Sequence, residues 1–397
     1  MAAALRRVAI NSGGGYVPGL NAVVAGAVLS ASKLGLEIVG IRDGYDGLMT
    51  RENYPNGGLV ELSPRGVEDL GGIDGSVLGT AGRTDPFRFR TINAENYVEE
   101  TDRSDELLEK LGAEKIDAVI SIVGGSALTG MHALSVAFRL SRKGLRTICI
   151  PKSVENDMSL PALSFGYNSA LSYTTETLAR IRTAARDVHR IAVVEVLGHQ
   201  AGWLALQSGM AVCADAVLIP EIPYDLRKAA AKLREDEKAG RRPSLVVVAE
   251  GAKPKHGDAS STESSQNLQR HGLRRSLSPL SDPRFGEGAR VIERSGLAAE
   301  TVALKLQQLT DHETFPLVLG QMVRGGAPTA VDRQLGLGYG AGAVRALDTG
   351  QSGVMVAFQP PDLKFVPLAE TINKVRTVPA DSEFVQIARA LGISLGD

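Results

Sequence analysis

Residues 148–157 read Ile148-Cys149-Ile150-Pro151-Lys152-Ser153-Val154-Glu155-Asn156-Asp157. The apolar run at the start of this stretch predicts a buried strand that ends at Pro151. Two carboxylates and a lysine then follow in the turn beyond the strand. Open α/β sheets bind their ligands in the crevice past the carboxyl ends of their strands. The stretch therefore indicates an α/β sheet with a candidate active site in this turn, although a solvated loop can have the same composition.

The same alternation of strand, loop and helix extends along the chain on both sides of this stretch. Residues 7–11 predict a first strand, which is followed by the glycine-rich loop 12–21 and by a helix. The almost continuous apolar run 116–123 is typical of a strand buried on both faces, and it ends in Gly124-Gly125-Ser126. The pattern begins again after about residue 167. We therefore predict an α/β fold made of two similar Rossmann-like domains with mostly parallel sheets.

Three further stretches support local predictions. Residues 96–111 predict one helix. Residues 253–288 are polar and rich in serine, so we expect a flexible surface insertion that buries little apolar area. Cys149 and Cys213 each lie in an apolar stretch, which predicts two buried thiols. Isolated thiols favour a reducing compartment over a secreted disulfide framework.

The composition argues against several classes of function. The chain has 397 residues, which is enough for two domains of ordinary size. Its formal net charge is -1, so no overall electrostatic field attracts nucleic acid or an anionic membrane. No apolar stretch reaches the length of a membrane span. We therefore expect a cytoplasmic protein that acts on a small molecule, with neither nucleic acid nor a membrane as its partner.

Two glycine-rich loops follow predicted strands. The first contains Gly13-Gly14-Gly15 and opens a helix, where backbone N–H groups and the helix N-terminus favour an anion. No Gly-Lys-Ser/Thr follows it, so the loop is not a P-loop. A glycine loop alone is compatible with a tight turn as well as with a phosphate cradle. The second pair, Gly124-Gly125, favours a site for a polyanion.

Four cations are predicted at strand ends or turns, namely Arg83, Lys152, Arg190 and Arg324. Arginine suits bidentate phosphate contacts, although each of these side chains taken alone is compatible with a solvated surface position. Together with the acids of the turn, the cations suggest phosphoryl transfer. In such a reaction Glu155 would take the proton of the attacking hydroxyl, while Lys152 and Arg83 would offset charge on the phosphoryl oxygens.

The order of these motifs resembles that of the phosphofructokinase family over most of residues 7–252 and 313–356. The resemblance is carried by residues 151–157 and by the stretches Ser12-Gly13-Gly14-Gly15-Tyr16-Val17-Pro18-Gly19-Leu20-Asn21, Asp43-Gly44-Tyr45-Asp46-Gly47-Leu48, Gly79-Thr80-Ala81-Gly82-Arg83-Thr84, Val193-Val194-Glu195-Val196-Leu197-Gly198-His199, Ala249-Glu250-Gly251-Ala252 and Leu319-Gly320-Gln321-Met322-Val323-Arg324-Gly325-Gly326.

The resemblance implies a division of labour between the two domains. Residues 1–166 with about 323–373 would bind the phosphate donor, and residues 167–322 with about 374–397 would bind the sugar phosphate. It also implies subunits that share their active sites in a homodimer or homotetramer. A paralogous subunit remains an alternative partner.

The resemblance further implies roles for individual residues. Glu155 matches the family's catalytic base, which is an aspartate, so its side chain is one methylene longer, while Asp157 keeps the family's second acid. Lys152, the third catalytic residue, matches a lysine of pyrophosphate-using members, where ATP-using members often have glycine. The expected donor-phosphate residues are Gly14, Gly15, Arg83, Gly124, Gly125 and Ser126. The expected substrate residues are Ser153, Arg190, Leu197, Gly198, His199, Glu250, Gln321 and Arg324.

Several residues depart from the family pattern. Tyr16 stands where pyrophosphate-using members usually have aspartate. Ser126 stands where the family's magnesium-binding acid follows the Gly-Gly pair, so the sequence assigns no ligand to the expected Mg²⁺. His199 and Phe315 each replace an arginine, and Gln321 replaces a histidine. An arginine lost from a phosphate site removes a charge-assisted pair worth about 1.5–3 kcal/mol.

Three hypotheses remain open, because fold similarity alone does not decide function. In the first, which we favour, the protein is a phosphofructokinase or a close relative that prefers pyrophosphate to ATP because of Lys152. In the second, it is a phosphotransferase with an acceptor less anionic than fructose 6-phosphate, which would explain Phe315 and Gln321. In the third, it is a regulatory or binding paralogue without catalysis, as the changes at Tyr16, Ser126 and Phe315 suggest.

Overall fold

The computed structural model describes residues 5–80, 84–92, 96–124, 127–159, 163–255, 296–372 and 374–397. The chain divides into two compact units. The first unit consists of Met1–Ala170 with Arg324–Arg376, and the second of Leu171–Val323 with Thr377–Asp397. Within the described ranges, no helix combines the length and the hydropathy needed to cross a membrane.

The first unit is built on a sheet of seven strands. They are β1 (Arg7–Ser12), β2 (Glu37–Ile41), β3 (Leu59–Glu61), β6 (Ala118–Gly124), β7 (Arg146–Lys152), β12 (Val354–Gln359) and β13 (Asp362–Pro367). Their order is β13-β12-β7-β6-β1-β2-β3. All neighbours run parallel except the two edge strands β3 and β13, which run antiparallel to their partners. The central strands are buried almost throughout, as the continuous apolar runs predict.

Helices cover this sheet. They are α1 (Leu20–Lys33), α2 (Asp46–Met49), α3 (Pro64–Val67), α4 (Ser104–Ala113), α5 (Ala127–Arg142), α10 (Ala330–Asp348) and the start of α6 (Tyr167–Asp187). Apolar side chains of α4, among them Leu107 and Leu111, pack with Val39 of β2 and Val119 of β6 in one buried cluster. This packing buries one face of the sheet beneath α4.

The helix predicted over residues 96–111 is wrong in its first part. A two-stranded antiparallel sheet of β4 (Phe89–Ile92) and β5 (Val98–Thr101) precedes α4, which begins only at Ser104. Glu100 pairs with Arg90 across the two strands, and its carboxylate accepts hydrogen bonds from both Arg88 and Arg90 at 2.8 Å. These cross-strand bonds override a helix propensity that is weak in itself.

The second unit contains a four-stranded sheet in the order β11-β8-β10-β9. Its strands are β8 (Ile191–Val196), β9 (Ala216–Leu218), β10 (Leu245–Ala249) and β11 (Thr314–Val318), and every pair is parallel. Besides part of α6, the described residues of this unit form the helices α7 (Trp203–Ala211), α8 (Leu226–Lys238), α9 (Leu297–Thr310) and α11 (Glu383–Ala390). The α/β fold with mostly parallel sheets is thus confirmed.

The predictions for the two cysteines and for the insertion have different outcomes. Cys149 is buried in β7, but Cys213 is exposed and not buried as predicted. The reason is that α7 ends at Ala211 and the chain turns at Cys213 with a φ of 48°. Most of the predicted insertion, residues 256–288, lies outside the described residues.

Candidate active site

The carboxyl ends of β1, β6 and β7 lie side by side at one edge of the first unit's sheet. From β1 the chain continues to β2 on one side of β1, and the later strands β6 and β7 lie on the other. Open α/β sheets form their ligand crevice at such a reversal of strand order. The N–H of Gly13 donates to the carbonyl of Ile122 at 3.1 Å, which fixes the start of the glycine loop against β6.

The glycines of the two predicted loops have different surroundings. Gly14 and Gly15 have φ of 90° and 91°, and a Cβ added at Gly15 would meet no atom within 4 Å. Open space beside Gly15 leaves room for a ligand. A Cβ at Gly124, by contrast, would lie 2.1 Å from the carbonyl oxygen of Lys152, so close packing of β6 against β7 requires this glycine. Three predicted donor residues lie outside the described residues, namely Arg83, Gly125 and Ser126.

Lys152, the last residue of β7, is fully buried. Its Nζ donates to Ser12 Oγ at 3.0 Å and to the carbonyl oxygen of Gly15. Burial, aided by the nearby charge of Arg324, lowers the pKa of Lys152 from its usual value to about 7. The side chain therefore connects the turn after β7 with the glycine loop after β1.

The turn after β7 is closed by its own side chains. Ser153 Oγ donates to Asp157 Oδ1 at 2.6 Å and accepts from the N–H of Glu155 at 3.0 Å. Asn156 has a φ of 55°, which asparagine tolerates better than most residues, and its Oδ1 accepts from the N–H of Ser164 at 3.2 Å. These bonds fix the direction in which the Glu155 side chain leaves the backbone.

The Glu155 carboxylate lies beside the guanidinium of Arg324. Glu155 Oε1 is 3.6 Å from Arg324 Nη2, and the two side chains are only 4% and 10% exposed. Arg324 is the last residue of a short 3₁₀ helix, Gly320–Arg324. A carboxylate at this depth needs a nearby cation, because an isolated buried charge is strongly unfavourable.

Asp74 and Arg376, two residues of the first unit that the sequence did not single out, lie against this site. Asp74 accepts two hydrogen bonds: Tyr16 Oη donates to its Oδ1, and the N–H of Gly326 donates to its Oδ2 at 3.1 Å. Burial, together with the bond to Asp74, raises the pKa of the Tyr16 hydroxyl well above its usual range. The other residue is Arg376, whose N–H donates to the carbonyl of Asp157 at 2.8 Å. No local pattern reveals these residues, because each is distant in sequence from its partner.

In the second unit, four predicted substrate residues follow β8 and β10. Leu197 and Gly198 are buried, whereas His199 is exposed and Glu250 is partly buried. The N–H of Gly198 donates to Glu250 Oε1 at 3.5 Å. A Cβ at Gly251 would lie 1.9 Å from the carbonyl oxygen of His199, so the two turns are closely packed. The carboxyl ends of β8 and β10 thus bring His199 and Glu250 together.

Arg190 lies elsewhere in the second unit. It precedes the first residue of β8, so the length of the strand, about 20 Å for six residues, separates it from Gly198. Its Nε lies 2.8 Å from Glu313 Oε2, and its side chain is 46% exposed. The structure therefore does not bring Arg190 together with the other predicted substrate residues of this unit.

Gln321 and Phe315 are the remaining residues of interest in the second unit. Gln321 is exposed in the short helix after β11, and Phe315 is partly exposed on β11 itself. β11 forms one edge of the four-stranded sheet. Both side chains therefore have access to a neighbouring molecule.

The described residues contain no cluster of three or more His, Cys, Asp or Glu side chains that could hold a metal ion. Mg²⁺, however, is usually bound by only one or two carboxylates, with water and substrate phosphates completing its coordination. Asp157 is a partly exposed carboxylate at the end of the turn. The site therefore fits a metal that arrives with a phosphate ligand better than a metal held by protein side chains alone.

Comparison with known sequences identifies similar proteins. A sequence model of the family "Phosphofructokinase" matches residues 7–347. The chain is 35% identical to ATP-dependent 6-phosphofructokinase 2 of Clostridium perfringens over 395 residues, which cover 99% of each chain. It is also 35% identical to ATP-dependent 6-phosphofructokinase of Chloroflexus aurantiacus over 403 residues, covering 100% of this chain and 99% of the relative.

Comparison with solved structures gives the same fold at lower identity. A pyrophosphate-dependent phosphofructokinase from Nitrosospira multiformis matches with a TM-score of 0.72 and 19% identity, covering 98% of this chain and 92% of that one. Phosphofructokinase from Saccharomyces cerevisiae matches with a TM-score of 0.68 and 22% identity. This chain, of which 97% is covered, spans only 46% of the yeast chain.

Proposed function

Because the chain belongs to the phosphofructokinase family, as its motifs predicted, we propose that it transfers a phosphoryl group from pyrophosphate or ATP to fructose 6-phosphate or a related sugar. The observation that carries this proposal is the buried Glu155 carboxylate, which lies beside Arg324 in the turn that also contains Lys152. Relatives along nearly the whole chain are named 6-phosphofructokinases, which supports the same reaction.

In the proposed reaction, Glu155 takes the proton of the acceptor hydroxyl as that hydroxyl attacks the phosphoryl group. A positioned general base of this kind typically contributes about 10²–10⁴-fold to the rate. Arg324 and Lys152 offset the charge that develops on the transferred group. Ser153 and Asp157 support this role, because their mutual hydrogen bond fixes the turn from which Glu155 projects.

We assign the phosphate donor to the first unit. The positive φ of Gly14 and Gly15 and the open space beside Gly15 support a phosphate cradle there. Lys152 under this loop supports pyrophosphate as the donor. The relatives' names specify ATP, so both donors belong in the test.

Mg²⁺ would enter with the donor phosphates. Asp157 would hold it, since it is the partly exposed carboxylate of the turn. When bound, the ion would neutralise charge on the transferring phosphoryl group.

We assign the sugar phosphate to the second unit, with His199 and Glu250 as contacts. Arg190 lies about a strand length away from these residues, in an exposed position. Its placement supports a homo-oligomer in which Arg190 contacts the substrate of a neighbouring subunit. The cytoplasmic location expected from the sequence remains a prediction.

A second candidate function is transfer to a less anionic acceptor. Phe315 and Gln321 are accessible at the edge of the second unit's sheet, where the family resemblance implies a cation for the sugar phosphate. Neither side chain carries a positive charge, which favours an acceptor with fewer phosphate groups.

One assay separates these functions. Purified protein receives Mg²⁺, either pyrophosphate or ATP, and one of several acceptors, namely fructose 6-phosphate, other phosphorylated or unphosphorylated sugars, and nucleosides. Turnover of fructose 6-phosphate that falls at least about 100-fold in Glu155→Gln supports the proposed reaction. The exposed Glu68→Gln serves as the matched control and should keep full activity.

The same assay identifies the alternatives. Turnover of another acceptor alone would support the second function. If no acceptor is turned over but pyrophosphate or ATP raises the melting temperature, the chain binds ligands without catalysis, and the proposed reaction is wrong.

A further inference from the structure

The carboxylate of Asp74 connects two segments that are far apart in the sequence. Its Oδ1 accepts the hydrogen bond donated by Tyr16 Oη, and its Oδ2 accepts from the N–H of Gly326 at 3.1 Å. The N–H of Gly75 donates to the same Oδ1 at 2.7 Å and to Tyr16 Oη at 2.9 Å. The two carboxylate oxygens of Asp74 therefore face different partners.

Both connected segments belong to the site described above. Tyr16 directly follows Gly15 in the glycine loop, and Gly326 lies two residues after Arg324, the cation beside Glu155. Asp74 thus forms a bridge between the loop assigned to the donor phosphate and the turn that begins with Arg324.

The glycine loop needs such a bridge for a physical reason. Consecutive glycines have no side chains with which to hold the loop, and glycine has more conformational freedom to lose than any other residue. Lys152 holds the carbonyl of Gly15 from the buried side. The bond from Tyr16 to Asp74 holds the next residue from the outer side, so the loop is fixed at two successive positions.

We propose that Asp74 is a positioning residue that holds the glycine loop and the Arg324–Gly326 turn in the arrangement that binds the donor phosphate. This inference rests on the proposed function, because it takes the glycine loop to be the donor site. Asp74 acts through Tyr16 and Gly326 and is not itself a ligand of the donor. Tyr16, in turn, acts through Asp74.

The test measures donor binding without catalysis. Pyrophosphate and ATP are titrated calorimetrically into wild-type protein, Asp74→Ala, Tyr16→Phe and the double variant, each with Mg²⁺ and with EDTA. Asp69→Ala is the matched control, because it removes another exposed carboxylate from the same segment.

We expect the dissociation constant of at least one donor to rise about 3- to 10-fold in each single variant, as for the loss of one or two hydrogen bonds. Because Tyr16 acts through Asp74, the double variant should bind no more weakly than Asp74→Ala. The loss should occur with and without Mg²⁺, and the melting temperatures should match that of the control.

Four results would overturn the inference. Asp74→Ala could bind the donors as tightly as the wild type, or the losses of donor affinity in the two single variants could add up in the double variant. The loss of affinity could also occur only with Mg²⁺, or the wild-type protein could bind neither donor. Turnover measured on the same samples keeps the two proposals apart. If the variants bind the donor more weakly but the wild type shows no turnover, the proposed reaction is contradicted and the role of Asp74 is supported. If the wild type shows turnover but the variants bind the donor unchanged, the proposed reaction is supported and the role of Asp74 is contradicted.

Discussion

Glu155 and Arg324 come from distant parts of the chain and form a buried ion pair, with Glu155 Oε1 3.6 Å from Arg324 Nη2. Both side chains are almost inaccessible to water. The pair places the candidate base next to a fixed positive charge. Its energetic role differs from that of the exposed ion pairs elsewhere in the protein, because water screens it little.

We predict that Arg324→Met lowers the free energy of unfolding by about 3 kcal/mol, because it leaves the buried Glu155 carboxylate without this cation. The double variant Glu155→Met/Arg324→Met should recover most of the loss, since it removes both charges. Urea denaturation of the three proteins measures the effect.

Arg180→Met is the control for this prediction. Arg180 pairs with Glu176 on α6, and the two side chains are 78% and 65% exposed. Its loss should change stability by less than about 1 kcal/mol. Equal losses in the free energy of unfolding in Arg324→Met and Arg180→Met would show that burial does not make the Glu155–Arg324 pair more important for stability than an exposed pair.

The buried lysine predicts a pH dependence of stability. The pKa of Lys152 is lowered to about 7 in the folded state, whereas an unfolded lysine keeps its proton to about pH 10.4. Between these values the unfolded chain binds one more proton at this position, so folding becomes more favourable as the pH rises. Wild-type stability should therefore increase relative to Lys152→Met, by up to about 1.4 kcal/mol per pH unit.

Urea denaturation at several values between about pH 6.5 and pH 9.5 measures this difference. The exposed Lys33→Met is the control, and its stability should run parallel to that of the wild type. A constant difference between wild type and Lys152→Met across the range would mean that Lys152 keeps an ordinary pKa.

The two glycine loops should respond differently to alanine. Gly124→Ala would place a Cβ 2.1 Å from the carbonyl of Lys152 at a φ of 112°, so we expect a loss of at least about 3 kcal/mol in stability. In Gly15→Ala the added Cβ would meet no atom within 4 Å, so the variant has only the strain of its positive φ, which costs about 1–2 kcal/mol. Denaturant midpoints compare the variants, and a larger loss at Gly15 would contradict this assignment.

Arg190 allows a test of shared active sites. Its ion pair with Glu313 is exposed, so Arg190→Ala should leave stability within about 1 kcal/mol of the wild type. If Arg190 serves a neighbouring subunit, Glu155→Gln and Arg190→Ala proteins should each lose turnover of fructose 6-phosphate. Mixing them under conditions that exchange subunits should restore part of the activity.

The restored activity has a structural reason. A mixed oligomer contains some sites that combine an intact Glu155 from one subunit with an intact Arg190 from the other. Activity that stays absent after verified subunit exchange would place both residues in the site of a single subunit. Glu313→Ala is a useful companion, because it removes the partner of Arg190 and leaves the arginine in place.

The sequence by itself determined the fold class and the family. Continuous apolar runs mark β6 and β7 as buried strands, because burial on both faces needs apolar residues at every position. The loops after those strands mark the edge where an open α/β sheet binds its ligand. Lys152 and Glu155 could therefore be singled out from local sequence alone, while their roles remain predictions.

Only the tertiary structure decided which residues meet. It placed Arg324 against Glu155, joined Tyr16 to Asp74, and paired Arg190 with Glu313. It also replaced the first part of a predicted helix by the strand β5, whose Glu100 pairs with Arg90 of β4. Hydrophobic patterns report how each segment is buried, but the partner of a charge depends on packing between segments far apart in the chain, which local sequence does not encode.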